Sequence, residues 1–220
     1  MRSTSIPRFS PSGDRIAFVS DRGGRRGIWV VTADGGAPRL IGSADVLDAL
    51  TWSPDGKRIV FSRPTEKLAQ LVAMSVENGS VEPLGVPAAG HAPSWSSATD
   101  RLAYLELEAA TAKTPSRTSL AILAGRDHRV FPVPASLQGF ANGMLAWSRD
   151  GRRLAVVALQ ANTRASIWIA DPDATEPLRR LVELPLPWWV RGITWTPDGS
   201  SIVIAQRESK SDIVLFELSK

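Results

Sequence analysis

Thr51-Trp52-Ser53-Pro54-Asp55-Gly56-Lys57-Arg58-Ile59 is the stretch that decides the fold. An aromatic ends a short apolar strand. Pro54 then fixes φ, Asp55 bonds its neighbouring backbone, and Gly56 accepts a positive φ. An apolar run rich in β formers, 59–61, follows at once, so the segment reads strand, turn, strand. The same pattern returns as Arg8-Phe9-Ser10-Pro11-Ser12-Gly13-Asp14-Arg15-Ile16 and Ser94-Trp95-Ser96-Ser97-Ala98-Thr99-Asp100-Arg101-Leu102. It appears again as Ala146-Trp147-Ser148-Arg149-Asp150-Gly151-Arg152-Arg153-Leu154 and Thr194-Trp195-Thr196-Pro197-Asp198-Gly199-Ser200-Ser201-Ile202. The five aromatics stand 43, 43, 52 and 48 residues apart. One four-stranded propeller blade repeats every ~40–50 residues.

Each copy supplies the rest of a blade. A third strand follows a polar loop at 27–31, 71–74, 119–123, 166–170 and 212–216. Turn chemistry closes most of these, as in Ala33-Asp34-Gly35-Gly36 and Glu77-Asn78-Gly79. A weaker fourth strand follows at 38–41, 81–84, 129–132 and 178–184, and the fifth copy stops after its third strand. No segment keeps a 3.6-residue apolar period, so almost no helix is expected. The fold class is therefore all-β, a β-propeller of four-stranded antiparallel blades. It forms one domain over 1–220, with blades at 6–42, 46–86, 90–134, 143–185 and 190–220. The expectation is a segment of a larger ring, with a small closed five-bladed ring as the alternative.

Composition narrows the chemistry. The 220 residues are 43% hydrophobic and 22% charged, an ordinary globular mix that excludes a mostly disordered chain. No apolar run is long enough to span a membrane as a helix, and no membrane insertion is expected. Met1-Arg2-Ser3-Thr4-Ser5-Ile6-Pro7 has no apolar h-region, so no signal peptide is expected in this chain. The absence of cysteine removes disulfides, thiolate catalysis and Cys-based zinc sites. The net charge of +4 comes from basic residues spread through short turns, not gathered into the stripe typical of nucleic-acid binders.

Here the residues resemble a known family. The Phe/Trp-Ser-Pro-Asp-Gly-Lys-Arg-Ile turn is followed by Phe18-Val19-Ser20-Asp21-Arg22-Gly23-Gly24 and Ile28-Trp29-Val30-Val31-Thr32-Ala33-Asp34-Gly35-Gly36. Together they are similar to the TolB-like propeller repeat, over nearly the whole chain. The third copy departs from it, with Ser97-Ala98-Thr99 in place of Pro-Asp-Gly, so that turn should differ locally. The resemblance implies a bacterial protein, a periplasmic or extracytoplasmic location, and protein recognition without catalysis.

Candidate sites follow from what varies among the repeats. Phe9, Trp52, Trp95, Trp147 and Trp195 share one position and read as inter-blade packing, and Trp29 and Trp168 read as core. The Asp-Gly positions offer one carboxylate each, too few for a calcium loop, and read as turns. Gly23-Gly24-Arg25-Arg26-Gly27 lacks the strand–loop–helix context of a phosphate loop. His91 and His128 read as loop residues, and no Gly-x-Ser-x-Gly elbow occurs. No catalytic residue, cofactor or metal is expected. By contrast, the positions four residues before each repeated aromatic, Ser5, Asp48, His91, Gly143 and Arg191, differ completely. They read as inter-blade links, on the face that carries the second-to-third-strand loops and their basic residues. Leu186-Pro187-Trp188-Trp189-Val190-Arg191 is the most apolar of these links. The candidate partner-binding residues are accordingly Trp188, Trp189, Arg191, His91 and Asp48, with a protein or peptide, acidic ones included, as partner. Blade-top packing is the competing reading of the Trp pair.

The expected function is a non-catalytic protein-interaction module. The alternative is the accessory propeller of a larger enzyme of the prolyl oligopeptidase type, which requires a hydrolase domain outside these residues. A third class, nucleic-acid binding through the basic loops, is not expected and would show as a steep salt dependence.

Overall fold

The computed structural model describes residues 4–46, 49–66, 69–86, 89–108, 117–131, 137–160, 165–184, 189–207 and 211–217. Among them there is no helix. Blade one is an antiparallel meander of β1 (Thr4–Phe9), β2 (Arg15–Ser20), β3 (Gly27–Thr32) and β4 (Arg39–Ser43). Blade two holds β5 (Leu50–Trp52), β6 (Arg58–Pro64), β7 (Ala69–Ser75) and β8 (Val81–Pro83). Blade three holds β9 (Ala89–Ser96), β10 (Arg101–Glu108), β11 (Arg117–Ala124) and β12 (Asp127–Phe131). Blade four holds β13 (Leu137–Trp147), β14 (Leu154–Gln160), β15 (Ala165–Ala170) and β16 (Leu178–Glu183). Blade five has three strands, β17 (Trp189–Trp195), β18 (Ser201–Arg207) and β19 (Ser211–Glu217).

The repeated turn has a chemical reason. Ser53 Oγ donates to Asp55 Oδ1 at 2.6 Å and accepts from the Arg58 amide at 2.9 Å. The Lys57 amide donates to the same Asp55 oxygen at 3.0 Å, and Gly56 takes φ 66° so that its amide reaches the Ser53 carbonyl. Ser148 and Asp150 repeat these bonds around Gly151. The third blade differs as expected. There the positive φ moves one residue on, to Asp100 at 53°, whose carboxylate accepts the Trp95 indole N–H at 3.0 Å.

The blades stack because their strands are apolar on both faces. In β14, Leu154, Val156 and Ala158 pack against blade three, while Ala155 and Val157 pack against blade five. In β10, Leu102 and Tyr104 face blade two while Ala103 and Leu105 face blade four. Ala17 and Val19 of blade one meet Trp52, Ile59 and Phe61 of blade two. A sheet buried on both faces reads as a continuous apolar run and not as alternation, which is why these strands stood out in the sequence.

The shared aromatic points backwards, into the preceding blade. The indole N–H of Trp52 donates to the Arg8 carbonyl at 3.0 Å, that of Trp147 to Ser94 at 3.0 Å, and that of Trp195 to Ala146 at 2.8 Å. Each acceptor is the residue before the aromatic of the preceding blade. Phe9 corrects the packing role expected of all five: it is 64% exposed. Packing runs in chain order from blade one to blade five, and among the described residues no strand of blade five packs closely on blade one.

Candidate functional site

The inner strands are where the variable positions lie. Antiparallel pairing breaks once in each of β1, β9 and β17 and twice in β13, the first time between Leu137 and Gly139. In β1 the break falls between Ser5 and Arg8, opposite Val19 and Ala17. In β9 it falls between His91 and Ser94, opposite Leu105 and Ala103. In β13 the second and wider break falls between Phe140 and Leu145, and in β17 Arg191 is the extra residue between Val190 and Gly192. These are β-bulges, which bend a strand and re-aim its side chains. Two of them hold non-glycine residues at positive φ, Ile6 at 58° and Ala92 at 55°. Such backbone is costly for a residue with a Cβ, most of all a β-branched one.

This placement corrects the expectation of inter-blade links. Ser5, His91 and Arg191 belong to inner strands and sit at the bulges; Gly143 lies within the bulge of β13. The bulge interrupts the apolar alternation that marks a strand in sequence, so each inner strand looked shorter than it is. His91 is half-buried and pairs with Leu105. His128 is likewise a strand residue, in β12, and not a loop residue. Trp189 and Arg191 enter through the backbone of β17, where Trp189 pairs with Arg207. Trp188 and Asp48 lie outside the described residues. In a propeller the inner strands surround the central channel. The bulges therefore form the channel rim on the side of the β2–β3-type loops.

The basic residues of that side are partly engaged. The Arg22 guanidinium lies 4.7 Å from the Phe18 ring centroid and 5.4 Å from that of Trp29, and Arg63 donates to Gln70 at 3.0 Å. Trp29 is half-buried and donates its N–H to the Ser20 carbonyl at 3.2 Å; Trp168, also half-buried, donates to Ser166 Oγ at 3.0 Å.

A polar cluster escaped the sequence reading. Tyr104 is fully buried in the junction of blades two and three. Its hydroxyl lies 2.8 Å from His128 Nε2 and 3.3 Å from Glu106 Oε2, and His128 Nε2 lies 3.0 Å from the same carboxylate oxygen. With Nε2 protonated, both His128 and Tyr104 donate to Glu106. Burial, and then the Glu106 charge, push the Tyr104 phenol well above its usual value. The cluster gives the buried phenol and carboxylate their partners where the junction meets a partly exposed His128. Its only early signal was Tyr104 itself, the single tyrosine of the chain. Among the described residues, no three His, Asp or Glu side chains converge as a metal site would require.

Residues 2–114, just over half of the chain, match the family described as the TolB beta propeller domain, and the chain belongs to that family. It is 30% identical over 112 residues to the uncharacterized protein Atu1656 of Agrobacterium fabrum, covering 45% of this chain and 38% of that protein. The solved structure of TolB from Acinetobacter baumannii superposes with a TM-score of 0.74 at 18% identity, covering 98% of this chain and 52% of that one. A prolyl endopeptidase structure matches with a TM-score of 0.65 at 16% identity, over 98% of this chain and 34% of the peptidase. The chain thus spans about half or less of each of these relatives, and the likeness to the two structures is one of fold.

Proposed function

We propose that the chain is a non-catalytic protein-interaction module whose partner sits on the bulged rim of the central channel. The observation that supports this reading is a pairing break in the first half or middle of the inner strand in four blades, with unlike residues at or beside it. A scaffold that keeps its core and varies its rim residues from blade to blade is built to present different side chains on a fixed frame. His91 and Arg191 are the members of that set able to carry positive charge, and with the Trp188–Trp189 pair they suit an extended peptide or an acidic protein surface. Arg and Trp are frequent at interface hot spots, where truncation costs ~2 kcal/mol or more. A periplasmic or extracytoplasmic location accords with the family. Affinity capture from a periplasmic extract, followed by calorimetric titration of the captured partner, tests the reading. His91→Ala with Arg191→Ala should weaken binding about tenfold or more without lowering the melting temperature. Unchanged affinity would remove the rim from the interface.

The second reading is an accessory propeller of a larger peptidase, supported by the fold likeness to prolyl endopeptidase. It requires a partner bearing a reactive serine. Labelling the captured partner with a fluorophosphonate distinguishes the two readings.

A further inference from the structure

We propose that Tyr104, held at its hydroxyl by Glu106 and His128, is the positioning residue for the rim bulge at His91. For partner binding this role rests on the rim being the docking site proposed above; for the backbone at 90–92 it holds regardless.

Tyr104 presses on Gly90. Gly90 stands just before His91 in β9, is buried, and pairs with Glu106 across the ladder. A Cβ on Gly90 would lie 2.7 Å from Tyr104 Cδ2 and 3.1 Å from Cε2, with Leu71 Cδ1 at 3.2 Å. The glycine is there for space and not for a positive φ: one edge of the phenol ring fills the place of a side chain. The ring thereby braces the inner strand at its last paired residues before the bulge. His91 still pairs with Leu105, and pairing resumes only at Ser94, opposite Ala103. Between them Ala92 holds φ 55° with its methyl buried.

The far end of the same ring is fixed across the blade. The hydroxyl lies 2.8 Å from His128 Nε2 and 3.3 Å from Glu106 Oε2. The phenol and imidazole planes are 20° from parallel, with centroids 6.1 Å apart. His128 belongs to β12, the outermost strand of blade three, and Gly90 to β9, the innermost. Small residues of β11 open the lane between them: Ala121 stands opposite Tyr104, and Ser119 opposite Glu106. One rigid side chain thus ties the outer strand to the rim.

The repeat shows that the hydroxyl is not needed to fill the junction. Nine residues after the repeated aromatic the five blades carry Phe18, Phe61, Tyr104, Val156 and Ile204. Four blades fill this place with an apolar side chain. A buried carboxylate, phenol and imidazole gain little stability over apolar packing, but fully bonded they fix one geometry. The chain places that arrangement in the blade whose bulge presents His91.

Tyr104→Phe keeps the ring, removes both hydroxyl contacts, and leaves Glu106 and His128 to each other at 3.0 Å, so the blade should still fold. Amide exchange at 90–92 should speed about tenfold while exchange in β6 and β14 stays unchanged. His128→Gln retains a donor for Glu106 and should keep near-native exchange at 90–92. His128→Leu has no donor and should speed it as Tyr104→Phe does. The chain has two histidines, so in His128→Gln protein the one imidazole signal in the NMR spectrum belongs to His91. That signal should be single and sharp, and should broaden or split when Tyr104→Phe is added. Native exchange at 90–92 in Tyr104→Phe protein, acceleration spread evenly over the blades, or an unmoved His91 signal would each overturn the proposal. Neither measurement uses a partner, so a failure of the rim as a docking site would be a separate result, read from the affinity of His91→Ala protein.

Discussion

The Arg15 guanidinium lies 5.0 Å from the centroid of the Trp52 ring and donates to the Gly56 carbonyl at 3.2 Å. Blade one thereby grips both the aromatic and the turn of blade two. Arg153 repeats the grip on Trp195, at 4.8 Å, and on the Gly199 carbonyl, at 2.8 Å. Arg58 occupies the same repeat position but turns to Glu82 of its own blade, at 3.7 Å. The difference has a cause in the third blade's altered turn. There a threonine, Thr99, replaces the glycine, and the indole of Trp95 is engaged by Asp100. Arg101 meets Asp173 of blade four through two bonds of 2.9 Å each.

The grip predicts unequal costs at equivalent positions. Arg15→Ala and Arg153→Ala should each lower stability by about 1–2 kcal/mol, the sum of a stacked cation and one hydrogen bond. Arg58→Ala should stay within ~0.5 kcal/mol, because it loses only a solvent-exposed pair. Arg15→Lys should recover little, since an ammonium cannot lie flat on the ring and donate sideways at once. Urea unfolding of the four variants decides this, and equal losses at Arg15 and Arg58 would reject the grip.

The blade framework was legible because its determinants are local. Trp52-Ser53-Pro54-Asp55-Gly56 carries its own hydrogen-bonding plan, and a strand such as 154–158, buried on both faces, shows as an unbroken apolar run. The rim was not legible, because a bulge is a property of pairing. The local mark was Pro93, matched by Pro7 in β1, since a proline has no N–H to give the ladder; it does not say which neighbour loses its partner. Phe9 misled for the opposite reason. Its neighbours in sequence match those of Trp52, while its exposure depends on a blade that packing in chain order does not bring to it.

The turn makes a backbone prediction. Gly56 holds φ 66°, and a Cβ there would stand 3.1 Å from Arg15 Nη2. Gly56→Val should cost ~1 kcal/mol or more through φ strain, and should disturb the Arg15 grip as well. Thr99→Val should be milder, because in that blade Asp100 carries the positive φ and Thr99 loses only its hydroxyl's bonds to Ser96 Oγ, at 3.1 Å, and to the Gly151 carbonyl, at 3.4 Å. Thermal melts showing the two changes to be equally costly would defeat this account of the third turn.

Acid should loosen the same turns. Hydroxyl donation from Ser53 and then the Lys57 amide hold the Asp55 carboxyl below its usual range, and Ser148 with the Arg152 amide does so for Asp150. Thr196 and the Ser200 amide lower Asp198 to about 2. A carboxyl depressed in the folded state contributes stability that is complete above its unfolded value, near 3.8, and is lost as pH falls towards its folded value. Stability should therefore be level with respect to these groups from pH 7 to about 5 and decline between about 4 and 2. Asp198→Ala should show a shallower acid decline than the unaltered chain, with lower stability at neutral pH. Parallel acid profiles would mean that Asp198 does not titrate with folding.

The strained rim makes the last prediction. Ala92 takes φ 55° while its methyl is buried, 1% exposed, in the core between blades three and four. Ala92→Gly relieves the backbone and deletes one buried methyl. The two effects oppose each other at roughly 1 kcal/mol apiece, so the melting temperature should move little. The bulge itself should become softer, since glycine no longer confines the chain to one conformation between His91 and Ser94. Amide exchange at residues 91–94 should then speed up several-fold while exchange in β10 and β11 stays unchanged. Ala92→Val should act in the other direction. A β-branched residue cannot hold this φ cheaply, so the variant should lose ~2 kcal/mol or more, or flatten the bulge to escape the strain. If the rim presents His91 to a partner, the glycine variant should lose affinity at unchanged stability. A glycine variant with native exchange at 91–94 would show instead that neighbouring contacts, and not the Ala92 backbone, hold the bulge in place.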